Sequence, residues 1–309
     1  MLTRRSAVSL LAGCLTLALS PLPAAAQNAD KLKVVASFSI LGDMVRNVGG
    51  ERIELVTLVG PNGDAHVYSP TPADGRRLTE AKVVVANGLK FEGWIDRLIK
   101  SSGTKAARIE AAKGVKPLKG EEDGHGPGHH HDHGGSDPHA WQSIGNAKTY
   151  VANIRDALIA ADAAGKEAYE ANAGAYLKRL DDLEAEVKSL VAGIPAERRR
   201  IITSHDAFRY FEAAYGIDFV SPQGVSTESE ASAKDVARII QQIRRDRIAA
   251  VFVENVSDAR LMERIAKETG AKIGDRVYSD ALSEPNGPAG TYIDMMRHNI
   301  RAFSAALSS

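Results

Sequence analysis

The sequence predicts two α/β lobes, each a mainly parallel sheet flanked by helices, joined by one long helix. Short β-branched runs alternate with helix-length amphipathic segments, the pattern of parallel sheets covered by helices. The alternation occurs twice, and between the two occurrences runs a single long apolar stripe at helical spacing. Lys33 to Ser37 opens as a strand, Ile40 to Val48 follows as a helix, Gly49-Gly50 punctuates, and Ile53 to Val59 is a second strand. Val83-Val84-Val85 and then Phe91 to Ile99 repeat the strand and helix.

From Lys166 to Val191, apolar residues stand at Tyr169, Tyr176, Leu177, Leu180, Leu183, Val187 and Leu190. Intervals of three, four and seven give a helix of about 26 residues, roughly 39 Å long. A coiled-coil arm would show the same stripe, but only about three heptads are present, and a rigid spine between lobes accounts for them. Pro195 closes it. Strand and helix segments then resume at Arg200 to Thr203, Ala207 to Tyr215, Ala231 to Arg245, Ala249 to Val253, Asp258 to Thr269 and Thr291 to Leu307. The expected divisions are residues 27–165 for the amino-terminal lobe, 166–192 for the linking helix and 193–309 for the carboxy-terminal lobe.

Residues 1–26 read as an export signal. Arg4 and Arg5 precede an apolar stretch from Ala7 to Leu19, and Ala24-Ala25-Ala26 is a small-residue cleavage site. Leu11-Ala12-Gly13-Cys14 resembles a lipobox, although the apolar run continues past Cys14, which favours cleavage in the periplasm over a lipid anchor. The arginine pair fits either a general secretory signal or a twin-arginine signal. Lys and Arg number 39 and Asp and Glu 39. Losing Arg4 and Arg5 with the leader leaves a mature net charge of −2, and no basic field that would attract nucleic acid. Cys14 is the only cysteine, so the mature chain has no disulfide and depends on burial for stability. No later stretch approaches the ~20 apolar residues of a membrane span, and the expected state is a monomer.

Four residues far apart in the chain, His66, His139, His205 and Asp280, stand in loops and offer metal-ligand chemistry. His66 and His139 are 73 residues apart and His205 and Asp280 are 75, so each half supplies an early and a late donor. His66 follows the run ending at Val59, His205 follows Ile201-Ile202-Thr203-Ser204, and Asp280 follows Val277-Tyr278-Ser279. Carboxyl ends of strands are where open α/β sheets bind ligands. His139 comes instead from Asp137-Pro138-His139-Ala140-Trp141, with Pro138 stiffening the backbone. Three neutral imidazoles and a carboxylate complete a tetrahedral zinc shell between the lobes, with no position left for a reactive water. Asp64, Tyr68 and Asp206 are candidates for orienting the rings, or else turn and core residues. Glu228 and Glu230 read as an acidic helix N-terminus, and His298 as a surface residue.

One segment breaks the pattern. Residues 119–136 contain His125, His129, His130, His131 and His133 among glycines and acids, with almost nothing to bury. Such a tract is a mobile loop, and its imidazoles offer auxiliary, weaker metal binding.

Pro61-Asn62-Gly63-Asp64-Ala65-His66-Val67-Tyr68-Ser69-Pro70, Asp137-Pro138-His139-Ala140-Trp141, Thr203-Ser204-His205-Asp206-Ala207-Phe208 and Tyr278-Ser279-Asp280-Ala281-Leu282 resemble four metal-site segments, in the same order, of a known family. That family is the periplasmic substrate-binding proteins of zinc and manganese ABC importers, and the resemblance extends over residues 31–307. It implies that His66 and His139 come from the first lobe and His205 and Asp280 from the second. The implied partners are a membrane permease with its ATPase, and a periplasmic metallochaperone is a further candidate. Zinc members typically carry a His-rich loop before the second ligand, whereas manganese and iron members usually have a carboxylate where His205 stands. Ligand softness points the same way, since three imidazoles suit zinc and a second carboxylate favours manganese. Zinc is therefore the expected cargo, with manganese or iron as the alternative.

Two other classes fit less well. A zinc hydrolase lacks its His-Glu-x-x-His motif here, and Ser204-His205-Asp206 are consecutive, whereas triad members converge through the fold. A stand-alone zinc buffer would share the site and differ only in never meeting a permease.

Overall fold

The computed structural model describes residues 31–118 and 136–308. The leader, Cys14 and the five loop histidines lie outside those residues. Strand β1 (Leu32–Phe38) runs into α1 (Ser39–Gly49), and β2 (Ile53–Val59) pairs with β1 in parallel. Next come α2 (Pro72–Glu80), β3 (Val83–Ala86), α3 (Ile95–Ser102) and β4 (Ala107–Glu110), giving the parallel order β2-β1-β3-β4. Strand β3 is wholly buried, as is β1 from Val34 onward. Their continuous apolar runs are what a parallel strand covered on both faces requires.

Helix α4 (Ile144–Ala161) and α5 (Lys166–Ala192) then pack together. The α5 stripe buries Tyr169, Ala173, Tyr176, Leu180, Leu183, Val187 and Val191 against α1, α4 and the last helix. It is a spine and not an arm. The second sheet follows from β5 (Arg200–Ile202), α6 (Arg209–Tyr215), β6 (Asp218–Val220), α7 (Ala233–Asp246), β7 (Ala250–Val251), α8 (Ala259–Thr269) and β8 (Lys272–Ile273). Its parallel order, β6-β5-β7-β8, repeats that of the first sheet. Helix α9 (Tyr292–Leu307) returns to the spine. There the buried Asp43 carboxylate of α1 accepts the Tyr292 amide at 3.0 Å and the Tyr176 hydroxyl at 3.4 Å. Burial raises the pKa of Asp43, opposed by those same hydrogen bonds.

Two expectations need correction. The helix anticipated from Phe91 begins only at Ile95. Gly88, Leu89 and Lys90 have φ of 86°, 54° and 64°, so the chain passes through three left-handed residues. Such residues cost roughly 1–2 kcal/mol each for a side chain with a Cβ. The turn is held by the buried Glu92 carboxylate, which accepts the Ser37 hydroxyl at 2.5 Å and the Asn87 amide at 2.7 Å. Glu228 and Glu230 do not begin a helix either: α7 is capped by Ser232, whose hydroxyl accepts the Asp235 amide, and the first-turn acid is Asp235. His298 is half-buried, its Nε2 2.8 Å from the Arg276 carbonyl.

Candidate metal centre

In each sheet the strand order switches sides between the first strand and the third, so the loops after β1 and β3, and after β5 and β7, flank a crevice. His205 and Glu254 stand just past β5 and β7, at the second crevice. At the first, Asn87 follows β3 and donates from Nδ2 to the Pro138 carbonyl at 2.9 Å, while its Oδ1 accepts the Tyr150 hydroxyl at 2.7 Å. That network seats the segment carrying His139. His66 arrives on the loop after β2, where the Trp94 indole donates to the Ala65 carbonyl at 2.7 Å.

The four sequence candidates meet. One donor atom from each of His66, His139, His205 and Asp280 lies within 4.8 Å of all the others, and all four residues are buried. His66 Nε2 is 3.3 Å from His139 Nε2 and 3.2 Å from Asp280 Oδ2. His205 Nε2 is 3.1 Å from the same oxygen, and His139 Nε2 is 3.5 Å from Asp280 Oδ1. A tetrahedron with zinc–ligand bonds of about 2.0–2.1 Å has edges of about 3.3–3.4 Å, close to the 3.1–3.3 Å separations of His66 Nε2 from His139 Nε2 and of Asp280 Oδ2 from the His66 and His205 rings, while the full donor set spreads to within 4.8 Å. His205 Nε2 and both Asp280 oxygens are buried with no hydrogen-bond partner. A cation among them would partner His205 Nε2 and at least one of the Asp280 oxygens.

Carboxylates hold the backbone at each histidine. Asp64 Oδ1 accepts the His66 amide, Asp137 Oδ1 the His139 amide and Glu254 Oε1 the His205 amide, each at 2.9 Å. Two of them also face a ring: Asp137 Oδ1 is 2.8 Å from His139 Nδ1 and Glu254 Oε2 is 2.5 Å from His205 Nδ1. A carboxylate at Nδ1 fixes the tautomer that presents the Nε2 lone pair to a cation. Of the three ring-orienting candidates read from sequence, Asp64 and Tyr68 bond elsewhere. Asp64 supports His66 through its backbone, Tyr68 donates to Asp74 at 2.8 Å, and the Asp206 amide donates to the Gly224 carbonyl. Sequence reading passed over Asp137 and Glu254, although Glu254 ends the apolar run Ala249 to Val253 and so carries the same signal as the ligands.

An aromatic wall closes one side. Phe91 lies edge-on to His66 at 4.6 Å between ring centres, and Trp141 is 4.8 Å from Phe91 and 5.3 Å from His139. Keeping water out strengthens every charge interaction within. Burial by itself lowers the pKa of His139, but Asp280 and Asp137 outweigh it and raise the ring to about 9. Burial pulls His205 down as well, and Glu254 and Asp280 carry it well above the ordinary histidine value. Asp280, pushed up by burial, is held well below the usual carboxylate range by His205 and His139. Asp280, the one of these carboxylates that faces the Nε2 atoms, would hold a divalent cation in place of those protons.

A buried three-imidazole, one-carboxylate cluster at the meeting of two parallel sheets has the donor set of a metal-binding protein. The family described as zinc-uptake complex component A, periplasmic, matches residues 34–306, and the chain belongs to it. The chain is 36% identical over 282 residues to the manganese-binding lipoprotein MntA of Halalkalibacterium halodurans, covering 91% of this chain and 90% of that one. It is 32% identical to the iron ABC transporter substrate-binding lipoprotein MtsA of Streptococcus pyogenes serotype M1, over 90% of each. Among solved structures, the periplasmic zinc binding protein TroA of Treponema pallidum superposes with a TM-score of 0.84 at 29% identity, covering 90% of this chain and all of that one. The manganese-bound periplasmic metal binding protein of Candidatus Liberibacter asiaticus gives 0.80 at 29%, with the same coverage. This is a metal-binding, substrate-binding component of an ABC transporter and not an enzyme.

Proposed function

We propose that this protein captures zinc through His66, His139, His205 and Asp280 and delivers it to the permease of an ABC importer. The observation that carries the reading is the convergence of four buried residues, three of them imidazole, whose donor atoms lie within 4.8 Å of one another. In this reading residues 27–165 and 193–309 are the two lobes and residues 166–192 the spine between them. His125, His129, His130, His131 and His133 serve as auxiliary, weaker sites that raise the local metal concentration. Elemental analysis of protein purified without an affinity tag, followed by zinc–manganese competition, tests the assignment; one zinc per chain that excess manganese does not displace supports it.

Manganese is the second reading, and one feature favours it. Both Asp280 oxygens face the imidazoles, so the carboxylate is placed to bind through two oxygens and make a five-coordinate, harder site. The relatives named for manganese agree with it. Displacement of zinc by equimolar manganese would decide for it.

The relatives are also named lipoproteins, which reverses the weight given to the leader. Lipid attachment at Cys14, with retention at the membrane surface, replaces cleavage after Ala26 as the favoured processing. The amino-terminal residue and mass of the mature protein separate the two. No helix among the described residues is long and apolar enough to cross a membrane.

A further inference from the structure

The hydrogen bonds around the four ligands divide them unequally. Asp280 follows the second sheet in sequence, yet its segment is tied to the first half of the chain. Trp141 Nε1 and Gln142 Nε2 both donate to the Ser279 carbonyl, at 2.9 and 2.8 Å. The Leu282 amide donates to Ser39 Oγ at 3.0 Å, and the Asn62 amide donates to the Leu282 carbonyl at 2.8 Å. Within residues 279–282, one bond runs the other way, from Asn255 Nδ2 to the Ala281 carbonyl at 3.1 Å. Val277 still pairs with β7's extension through two backbone bonds, so the change of allegiance falls at Tyr278, held by the Asn299 side chain of α9.

His205 is held differently. Its amide bonds to Glu254, the Thr203 amide to the Val220 carbonyl and the Asp206 amide to the Gly224 carbonyl, all within the second sheet and its loops. His205 also bridges to Gln223, which couples it to the loop that carries Thr227. Thr227 Oγ1 crosses to the amino-terminal lobe and donates to Asp64 Oδ2 at 2.6 Å, beside a cleft of about 450 Å³ that Asp64, Ser204 and Thr227 help to line.

We propose that the site opens three-to-one. His66, His139 and Asp280 stay together on the amino-terminal lobe, His205 is the ligand that withdraws, and the Asp64–Thr227 bond is the latch that withdrawal breaks. This rests on the metal-capture reading above. Taking Asp280 away from the first lobe breaks four hydrogen bonds, three of them buried and therefore dear to leave unpaired. Withdrawing the second sheet breaks the Thr227–Asp64 and Asn255–Asn62 bonds and the Tyr210 and Tyr215 bonds to Asp137, Leu118 and Ile144 whichever half keeps Asp280. Leaving Asp280 behind adds only the Asn255 bond to the Ala281 carbonyl, at a half-buried position where water replaces the lost partner. The cheaper opening leaves a three-ligand half-site, able to hold the ion until a stronger acceptor takes it.

Zinc release into excess chromophoric chelator, followed by stopped flow on the full protein, tests this. Thr227→Val keeps the side-chain shape and removes the latch, so release should quicken about tenfold. Gln142→Met removes a bond that persists in both states, so release should stay within about twofold of the parent. Equal acceleration by both variants, or none from Thr227→Val, overturns the three-to-one opening. Should Gln142→Met fail to fold, Ser39→Ala removes the acceptor of the Leu282 amide and reads the same way. Loss of stoichiometric zinc binding in the parent protein would overturn the metal-capture reading as well, whereas intact binding with a fast Gln142→Met overturns this inference alone.

Discussion

Glu254→Gln is the substitution that best separates a supported metal site from four donors that merely meet. Glu254 is fully buried and spends one oxygen on the His205 amide and the other on the ring at Nδ1. The amide keeps the size and one acceptor oxygen. It loses the negative charge that makes the imidazole a better donor, and whichever end faces the ring, one of the two former bonds is compromised. Removing such an orienting carboxylate typically costs 10- to 100-fold in metal affinity, about 1.4–2.8 kcal/mol. Competition against a chelator of known affinity reads this directly, with the melting temperature of the metal-free protein as the check that the fold persists. Zinc affinity within twofold of the parent, in a folded variant, would refute the claim that Glu254 tunes His205.

His205 itself distinguishes the candidate metals. His205→Ala leaves three ligands and admits water, and zinc affinity should fall on the order of 10- to 1000-fold; His205→Glu should narrow the zinc-to-manganese affinity ratio, measured by competition, because a second carboxylate hardens the site. Deleting residues 121–136 should leave one tight zinc step in a chelator titration while slowing uptake at scarce zinc. The metal-free protein should lose stability as pH rises from about 6.5 to 9, because the raised pKa of His139 contributes stability below its unfolded value that disappears as pH climbs through the folded one. Zinc-loaded protein, whose rings would already be deprotonated, should show no such decline in thermal melts. Asp280 has the opposite sign: its contribution is present above the ordinary carboxylate value and is lost only when pH falls through its depressed folded value.

What the chain discloses before folding follows from periodicity and position. The spine was legible because Tyr169, Tyr176, Leu180, Leu183 and Val187 keep a helical interval across most of a 27-residue helix, and all are buried. The four ligands were legible because three of them follow strand-like runs and the fourth follows a proline. Helix α4 went unread: its apolar face is diluted by Ala and Gly, which pack closely without marking a period. Helix α2 had a signal that was overlooked, the Thr71–Asp74 capping box with Pro72 at the first position. Strands of two or three residues, such as β8 and β6, are too short to show alternation at all. The ring-orienting carboxylates were hidden for a different reason. Glu254 is 49 residues from the histidine it faces, and only the pairing of β5 with β7 brings them together. Candidates near the ligand in sequence, Tyr68 and Asp64, serve the Asp74 cap and the Thr227 latch instead.

The central claim is that one ion sits inside the four donors with no water attached. Diffraction from zinc-loaded crystals, recorded on both sides of the zinc absorption edge, tests it most directly. The account predicts one strong anomalous peak per chain, about 2.0–2.2 Å from the Nε2 atoms of His66, His139 and His205 and from a carboxylate oxygen of Asp280. A principal peak elsewhere, or one here with a water in place of any of the four, would contradict it.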